Sequence, residues 1–294
     1  MADRLVINAT GFKEFEMLPF LKMQGLGNDF VIFDRRRESN PLNLTPAQIR
    51  YISDRRIGVG CDQLIMIEAA FEGSSVDAVM RIFNADGSQV QTCGNATRCV
   101  GKLLFAETGR AELTLDTLGG RLHLTRTEAG MVAVDLGLVK TEWQQIPLAQ
   151  MRDSLAIADF ADLGLPLGVA TNVGNPHISF FVADLEAVDL ARIGPIIENH
   201  RLFPERINVG IAEIQDRSQM RLRVWERGVG LTRACGSGAT AAWVAAIRLG
   251  LGQGEGLVHL DGGDLWIDWR DDGHAIMTGT ASHSFSGTIT DLPQ

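Results

Sequence analysis

Cysteine is scarce in this chain, with four in 294 residues. That is too few for a disulfide framework, and a reducing compartment would disfavour one anyway. Basic charge is also in deficit. There are 27 Lys and Arg against 36 Asp and Glu, a formal net charge of −9, so no basic footprint points to nucleic acid. No run of 18 apolar residues marks a membrane span. The opening "MADRLVINATGFKEFEMLPF" lacks the charged start, long apolar stretch and small-residue cleavage site of a signal peptide, so a cytoplasmic protein is expected. Lysines are few (Lys13, Lys22, Lys102, Lys140), and none sits in a setting that would hold a Schiff base. The Gly-x-Gly-x-x-Gly spacing of a dinucleotide site is missing after the strands. Cys93 and Cys99 are separated by five residues, with no His or Cys to complete a zinc set. Neither cofactor nor metal is expected.

What is present fits a globular protein, with 45% hydrophobic and 21% charged residues. The length allows two domains. Its 32 glycines punctuate short apolar segments: "FVIFD", "QLIMIE", "AVMRIFN", "LTLDT", "RLHLTR" and "MVAVDLG". Such runs are strands, and they outnumber helical patterns. Thr45 before Pro46 starts one helix at "TPAQIRYISDR".

The chain also repeats itself. "GLGNDFVIF" around Asn28 resembles "NVGNPHISFF" around Asn175, 147 positions on. Asn84 in "RIFNADG" matches Glu226 in "RVWERGVG", and Cys93 matches Cys235, both at an offset of 142. Gln63 in "GCDQLI" matches Asn208 in "RINVGI" at 145. Four landmarks in one order at nearly one offset indicate a duplicated domain rather than a solenoid. The expected fold is α/β (α+β), with two pseudo-symmetric lobes, each a mainly antiparallel curled sheet around a central helix. Residues 1–137 plus 281–294 would form one lobe and 138–280 the other, the tail pairing back onto the first.

Both "QTCGNATRC" and "RACGSGATAA" set a cysteine before a glycine and a helical pattern. Ala96, Val100, Leu103 and Leu104 follow Cys93 at helical spacing, and Gly109 supplies a stop. The segment after Cys235 is apolar nearly all round, as in a helix buried at the centre of a lobe. Each cysteine then lies at a helix N-terminus, where free N–H groups favour a thiolate and form an anion site. The dipole alone moves a thiol down by roughly one pKa unit. A thiolate and a thiol of matched pKa make the base and acid that carry a proton from one side of a carbon to the other. Taken alone, either cysteine is a small buried residue at a helix start; the duplication favours chemistry. Cys61 and Cys99 lack the context and are expected to be packing residues. A thiol redox pair is the rival reading, unsupported by any Cys-x-x-Cys.

Together "KMQGLGNDFVIFD", "GVGCDQLI", "RIFNADGSQVQTCGNATRC", "GNPH", "FPERINVG" and "WERGVGLTRACGSGA" resemble the diaminopimelate epimerase family, in order from about residue 21 to residue 285. The resemblance implies a cofactor-independent isomerase. It would convert L,L-2,6-diaminopimelate to the meso form in lysine and peptidoglycan biosynthesis, at a cleft between the lobes of a homodimeric protein. It implies that Cys93 takes the proton from the L centre and that Cys235 returns one on the other face. Asn28, Gln63, Asn84, Asn175, Asn208, Glu226 and Arg227 resemble the substrate-binding set. The backbones of Gly94, Asn95, Gly236 and Ser237 would hold the reacting carboxylate. Each asparagine singly is more often a turn residue, and only the repeated, in-order set favours binding. Arg227 can grip a distal carboxylate in two places, and Glu226 can pair the distal ammonium. His177 and Glu226 would support the acid/base pair: a carboxylate near Cys235 raises its pKa, and a protonated His177 near Cys93 lowers that one. A racemase of the same fold acting on proline or hydroxyproline is the nearest alternative. Residues 1–16 precede the family's usual start, so Met17 is an alternative initiator and removal of 1–16 should leave activity intact.

Overall fold

Two runs of strands and helices follow one another in the same order in the computed structural model, which describes residues 17–38 and 40–293. The leader reading and the dispensable segment 1–16 lie outside the described residues. The first run is β1 (Leu18–Gly25), β2 (Asn28–Asp34), α1 (Pro46–Ser53), β3 (Gln63–Glu68), β4 (Ala78–Asn84), β5 (Gln89–Val90), α2 (Gly94–Thr108), β6 (Glu112–Thr117), β7 (Gly120–Arg126) and β8 (Val132–Leu138). The second is β9 (Gly168–Asn172), β10 (Pro176–Phe181), α3 (Leu190–Glu198), β11 (Asn208–Asp216), β12 (Gln219–Glu226), β13 (Gly230–Thr232), α4 (Gly236–Arg248), β14 (Gly256–Leu260), β15 (Gly263–Trp269) and β16 (His274–Gly279). A last strand, β17 (Ser282–Ile289), pairs antiparallel with β1.

Pairing repeats with the order. β2 runs parallel to β3 as β10 does to β11. β4 runs parallel to β6 as β12 does to β14. The other neighbours within each run are antiparallel, and β8 pairs antiparallel with β16 to join the halves. The duplication and the mainly antiparallel lobes expected from the sequence are therefore present.

Burial explains why β2 and β3 are continuously apolar. Phe30, Ile32, Ile65 and Ile67 pack inward with Ala96, Val100 and Leu104 of α2. The alternate residues Val31, Phe33, Leu64 and Met66 pack outward with Ile49 and Ile52 of α1. A strand covered on both faces needs no polar side. In the second lobe Ile178, Phe180, Val209 and Ile211 pack on Ile193 and Ile197 of α3. Helix α3 went unread in the sequence because Gly194 and Pro195 interrupt its pattern. Gly194 is needed there: a Cβ would sit 2.5 Å from the Trp225 ring.

Local signals set the helix ends. Thr45 and Gln48 form a reciprocal capping box on α1. Gly109, at φ 70°, closes α2 with its N–H on the Phe105 carbonyl. The β1–β2 turn places Leu26 at φ 57° and Gly27 at φ 81°. A left-handed leucine costs on the order of 1 kcal/mol. The turn rests on the second lobe, where a Cβ on Gly262 would lie 1.9 Å from the Leu26 carbonyl oxygen. Among the described residues no helix is long and apolar enough to cross a membrane.

Candidate active site

The sheet topology gathers the singled-out residues at one end of each lobe. Asn28 opens β2, Gln63 opens β3 and Asn84 closes β4; since β4 runs against the other two, all three lie at the same end. In the second lobe Asn175 precedes β10, Asn208 opens β11 and Glu226 closes β12. Gln63 stands opposite Asn84, and the Val209–Trp225 register carries on to Asn208 and Glu226. The chain then turns back once and enters the central helix at a cysteine.

Cys93 and Cys235 are the N-caps of α2 and α4, both with extended backbone (φ −149° and −123°). Each sulfur accepts a backbone N–H from the first turn, Ala96 at 3.5 Å and Gly238 at 3.3 Å. Ser237 Oγ lies 3.6 Å from Cys235 Sγ. Cys61 is buried beside Ser53 Oγ, and Cys99 lies in the core on α2, as expected of packing residues.

The two helix starts meet. Asn95 Nδ2 donates to the Ala234 carbonyl and to Asn28 Oδ1, each at 3.2 Å. The end of Met277 lies against both glycines that follow the cysteines. A Cβ on Gly94 would be 2.7 Å from Met277 Cε, and one on Gly236 2.6 Å from its Sδ. The Cys93 thiol points to Asn28 Oδ1 at 4.0 Å. Asn28 is oriented by Asp62, whose Oδ2 accepts its Nδ2 at 2.8 Å while Arg55 holds Oδ1 at 2.8 Å. Asp62 was overlooked in the sequence, although a lone carboxylate directly before Gln63 was its visible signal.

The remaining residues form two adjoining sets. Gln63 Nε2 donates to Asn84 Oδ1 at 3.0 Å, and Asn84 Nδ2 to Ser88 Oγ at 3.2 Å. In the other lobe Asn208 donates to the Pro176 carbonyl and accepts the Arg227 N–H, both at 2.9 Å. His177 Nε2 meets Asn175 Oδ1 at 2.9 Å, and Arg227 Nη1 reaches the Glu205 carbonyl at 2.8 Å. Buried Glu198 fastens this turn, accepting from Gly228 N–H at 2.8 Å and Trp225 Nε1 at 2.7 Å. Nothing in its sequence context marked Glu198. Two buried acceptors, Gln63 Oε1 and Asn95 Oδ1, have no partner within the protein, so the site has unmet demand for donors.

Electrostatics differ from the sequence expectation. Burial pushes the Cys93 thiol up to about 11; the Ala96 N–H opposes this and the Glu226 carboxylate adds to it. Burial, then Glu226, carries Cys235 well above an ordinary thiol. The helix termini do favour the thiolates, but desolvation outweighs them. Glu226 is itself raised by burial, against hydrogen bonds from Thr232 Oγ1 (2.5 Å) and the Cys235 thiol. One carboxylate thus acts on both sulfurs, where the sequence had suggested an effect on Cys235 alone. His177 requires a correction. Burial, helped by the Arg227 cation, lowers its pKa to about 3, so it is a neutral imidazole and the expected imidazolium effect on Cys93 is absent.

That shift has a consequence for stability. Above pH ~6.5 His177 is neutral in both folded and unfolded chains and contributes nothing. As pH falls, the unfolded chain takes up a proton that the folded one refuses, so stability drops by about 1.4 kcal/mol per pH unit from pH ~6.5 to about 3. Denaturant titrations should show His177→Gln lacking this component of the acid slope; equal slopes would refute it. Among the described residues no three His, Cys, Asp or Glu side chains cluster as metal ligands.

Comparison with known proteins identifies the family and the fold. The family described as diaminopimelate epimerase matches residues 20–142 and 169–284. The diaminopimelate epimerase of Rhodospirillum centenum is 48% identical over 272 residues, covering 92% of each chain. That of Phenylobacterium zucineum is 50% identical over 275 residues, covering 92% of this chain and 97% of its own. Among solved structures, a phenazine biosynthesis protein of the PhzF family from Bacillus anthracis superposes with a TM-score of 0.65 at 15% identity, covering 93% of this chain and 99% of its own. A hydroxyproline epimerase from Agrobacterium vitis gives 0.64 at 12%, covering 95% and 92%. At such identities these two share the fold alone.

Proposed function

The chain belongs to the diaminopimelate epimerase family, and on that premise we propose that it inverts one α-carbon of L,L-2,6-diaminopimelate to give the meso isomer, without a cofactor. The supporting observation is that two cysteine N-caps, one from each repeat, share Glu226 as an electrostatic neighbour while Met277 packs between their glycines.

In this reading the Cys93 thiolate removes the α-proton of the L centre and the Cys235 thiol delivers one to the opposite face. The N–H groups of Gly94, Asn95, Gly236 and Ser237 face the reacting carboxylate and stabilise the charge that develops on it. Raised thiol pKa values suit this task. A thiolate that re-forms its S–H bond strongly is a stronger base toward a weakly acidic C–H, although it is rarer at neutral pH. Asn28, Gln63, Asn84, Asn175, Asn208, Glu226 and Arg227 bind the distal amino acid. The unpartnered Gln63 Oε1 and Asn95 Oδ1 suit a ligand rich in N–H donors.

The same reading places the enzyme in the cytoplasm, in lysine and peptidoglycan biosynthesis, as a homodimer. It takes residues 1–137 plus 281–294 as one lobe and 138–280 as the other, supported by the β17–β1 pairing. Incubation with L,L-diaminopimelate in deuterated water tests it: deuterium should enter one α-carbon as the meso isomer accumulates. A protein that binds the substrate without exchanging the α-hydrogen overturns it.

A further inference from the structure

Arg98 is an unusual charge. It lies on α2, five positions after Cys93, and its side chain is fully buried. Buried arginines are ordinarily matched by a carboxylate, because an unpaired ion in the interior is costly. Here Nε donates to the Thr280 carbonyl at 3.2 Å, Nη1 lies 3.5 Å from Met277 Sδ, and Nη2 has no partner. Its slot is walled by two glycines. A Cβ on Gly25 would be 3.2 Å from Nη2, and one on Gly279 3.1 Å from Nε. The groups of opposite potential charge that act on it are two thiols, Cys99 and Cys93.

The second lobe has nothing equivalent. At the repeat offset of 142, Arg98 corresponds to Thr240, whose hydroxyl donates to the Gly236 carbonyl at 2.9 Å. The lobes thus differ in sign: Glu226, on β12, is hydrogen-bonded to Cys235, while Arg98 supports the helix that begins at Cys93.

We propose that Arg98 is an electrostatic positioning residue for the two-thiol site, a buried cation that biases negative charge toward Cys93, so that Cys93 rather than Cys235 is the resting base. This rests on the two-thiol reading above. It also replaces the role that the sequence suggested for His177. The cation survives its burial, since desolvation lowers the guanidinium only to about 10. The other charged side chain acting on Cys93 is Glu226 from β12, which opposes the bias; Cys99 on α2 is held by burial at about 12 as a neutral thiol. Lys102 is directed away, to the Ala281 carbonyl at 2.7 Å. Met277 couples Arg98 to the site geometrically, because its sulfur contacts the guanidinium and borders Gly94 and Gly236.

The test measures iodoacetamide alkylation against pH for each thiol alone, Cys93 in a Cys235→Ser background and Cys235 in a Cys93→Ser background. The midpoint for Cys93 is expected below that for Cys235. Adding Arg98→Met should raise the Cys93 midpoint by about one unit, roughly a tenfold slower reaction below it, and leave Cys235 unmoved; Arg98→Lys should restore it. A Cys93 midpoint unchanged by Arg98→Met, or equal movement of both thiols, overturns the proposal. Should Arg98→Met not fold, the comparison in the native-Arg98 backgrounds decides, and a Cys93 midpoint at or above that of Cys235 overturns it. Alkylation requires no turnover, so failure here is distinct from failure to exchange the α-hydrogen.

Discussion

Cys93→Ala and Cys235→Ala should each lower epimerisation of L,L-diaminopimelate by about 10³-fold or more. A positioned proton carrier contributes roughly 10²–10⁴ in rate, and here each turnover needs both. Carriers that act as a unit are not additive, so the double variant should be little worse than either single one. Folding should survive. Each alanine removes one N-cap acceptor, a loss of about 1 kcal/mol against a typical 5–15. Chiral separation of the product, with circular dichroism to confirm the fold, checks this. A folded Cys93→Ala protein that retains more than about a tenth of native activity would refute the assignment of the base.

Glu226→Gln should have two effects of opposite sign. The carboxylate raises both thiols, and of the two it is hydrogen-bonded only to Cys235. Glutamine keeps the shape and removes the charge. Alkylation in the alkaline range, where Glu226 is ionised, should therefore become faster at both cysteines and more so at Cys235, by about tenfold for each unit its pKa falls. Epimerisation should instead fall by roughly 10²-fold, because the thiolates become weaker bases and the carboxylate that acts on both sulfurs loses its charge. Alkylation midpoints that stay in place would show that Glu226 does not govern the thiols; faster epimerisation would overturn its supporting role.

How much of this was legible beforehand follows from range. The strands "FVIFD", "QLIMIE" and "AVMRIFN", the Thr45 cap and the Gly109 stop are local, and each appears where its residues indicated. The duplication was legible because a repeat preserves spacing whatever the fold. Helix α3 was not, since its Gly194 answers to Trp225, 31 positions away in the chain. Glu198 and Met277 were equally hidden, because each matters through partners that only folding brings near.

The sequence alone determined the two-lobed α/β duplication, the placement of Cys93 and Cys235 at matching helix starts, and the family. Those depend on local periodicity, capping and motif order, which are written along the chain. The balance of charge at the site was decided by tertiary structure. Desolvation raised both thiols against the helix dipoles and kept His177 neutral, and it left Arg98 buried without a carboxylate. Desolvation depends on everything packed around a group, from both lobes at once, and no spacing of residues encodes it.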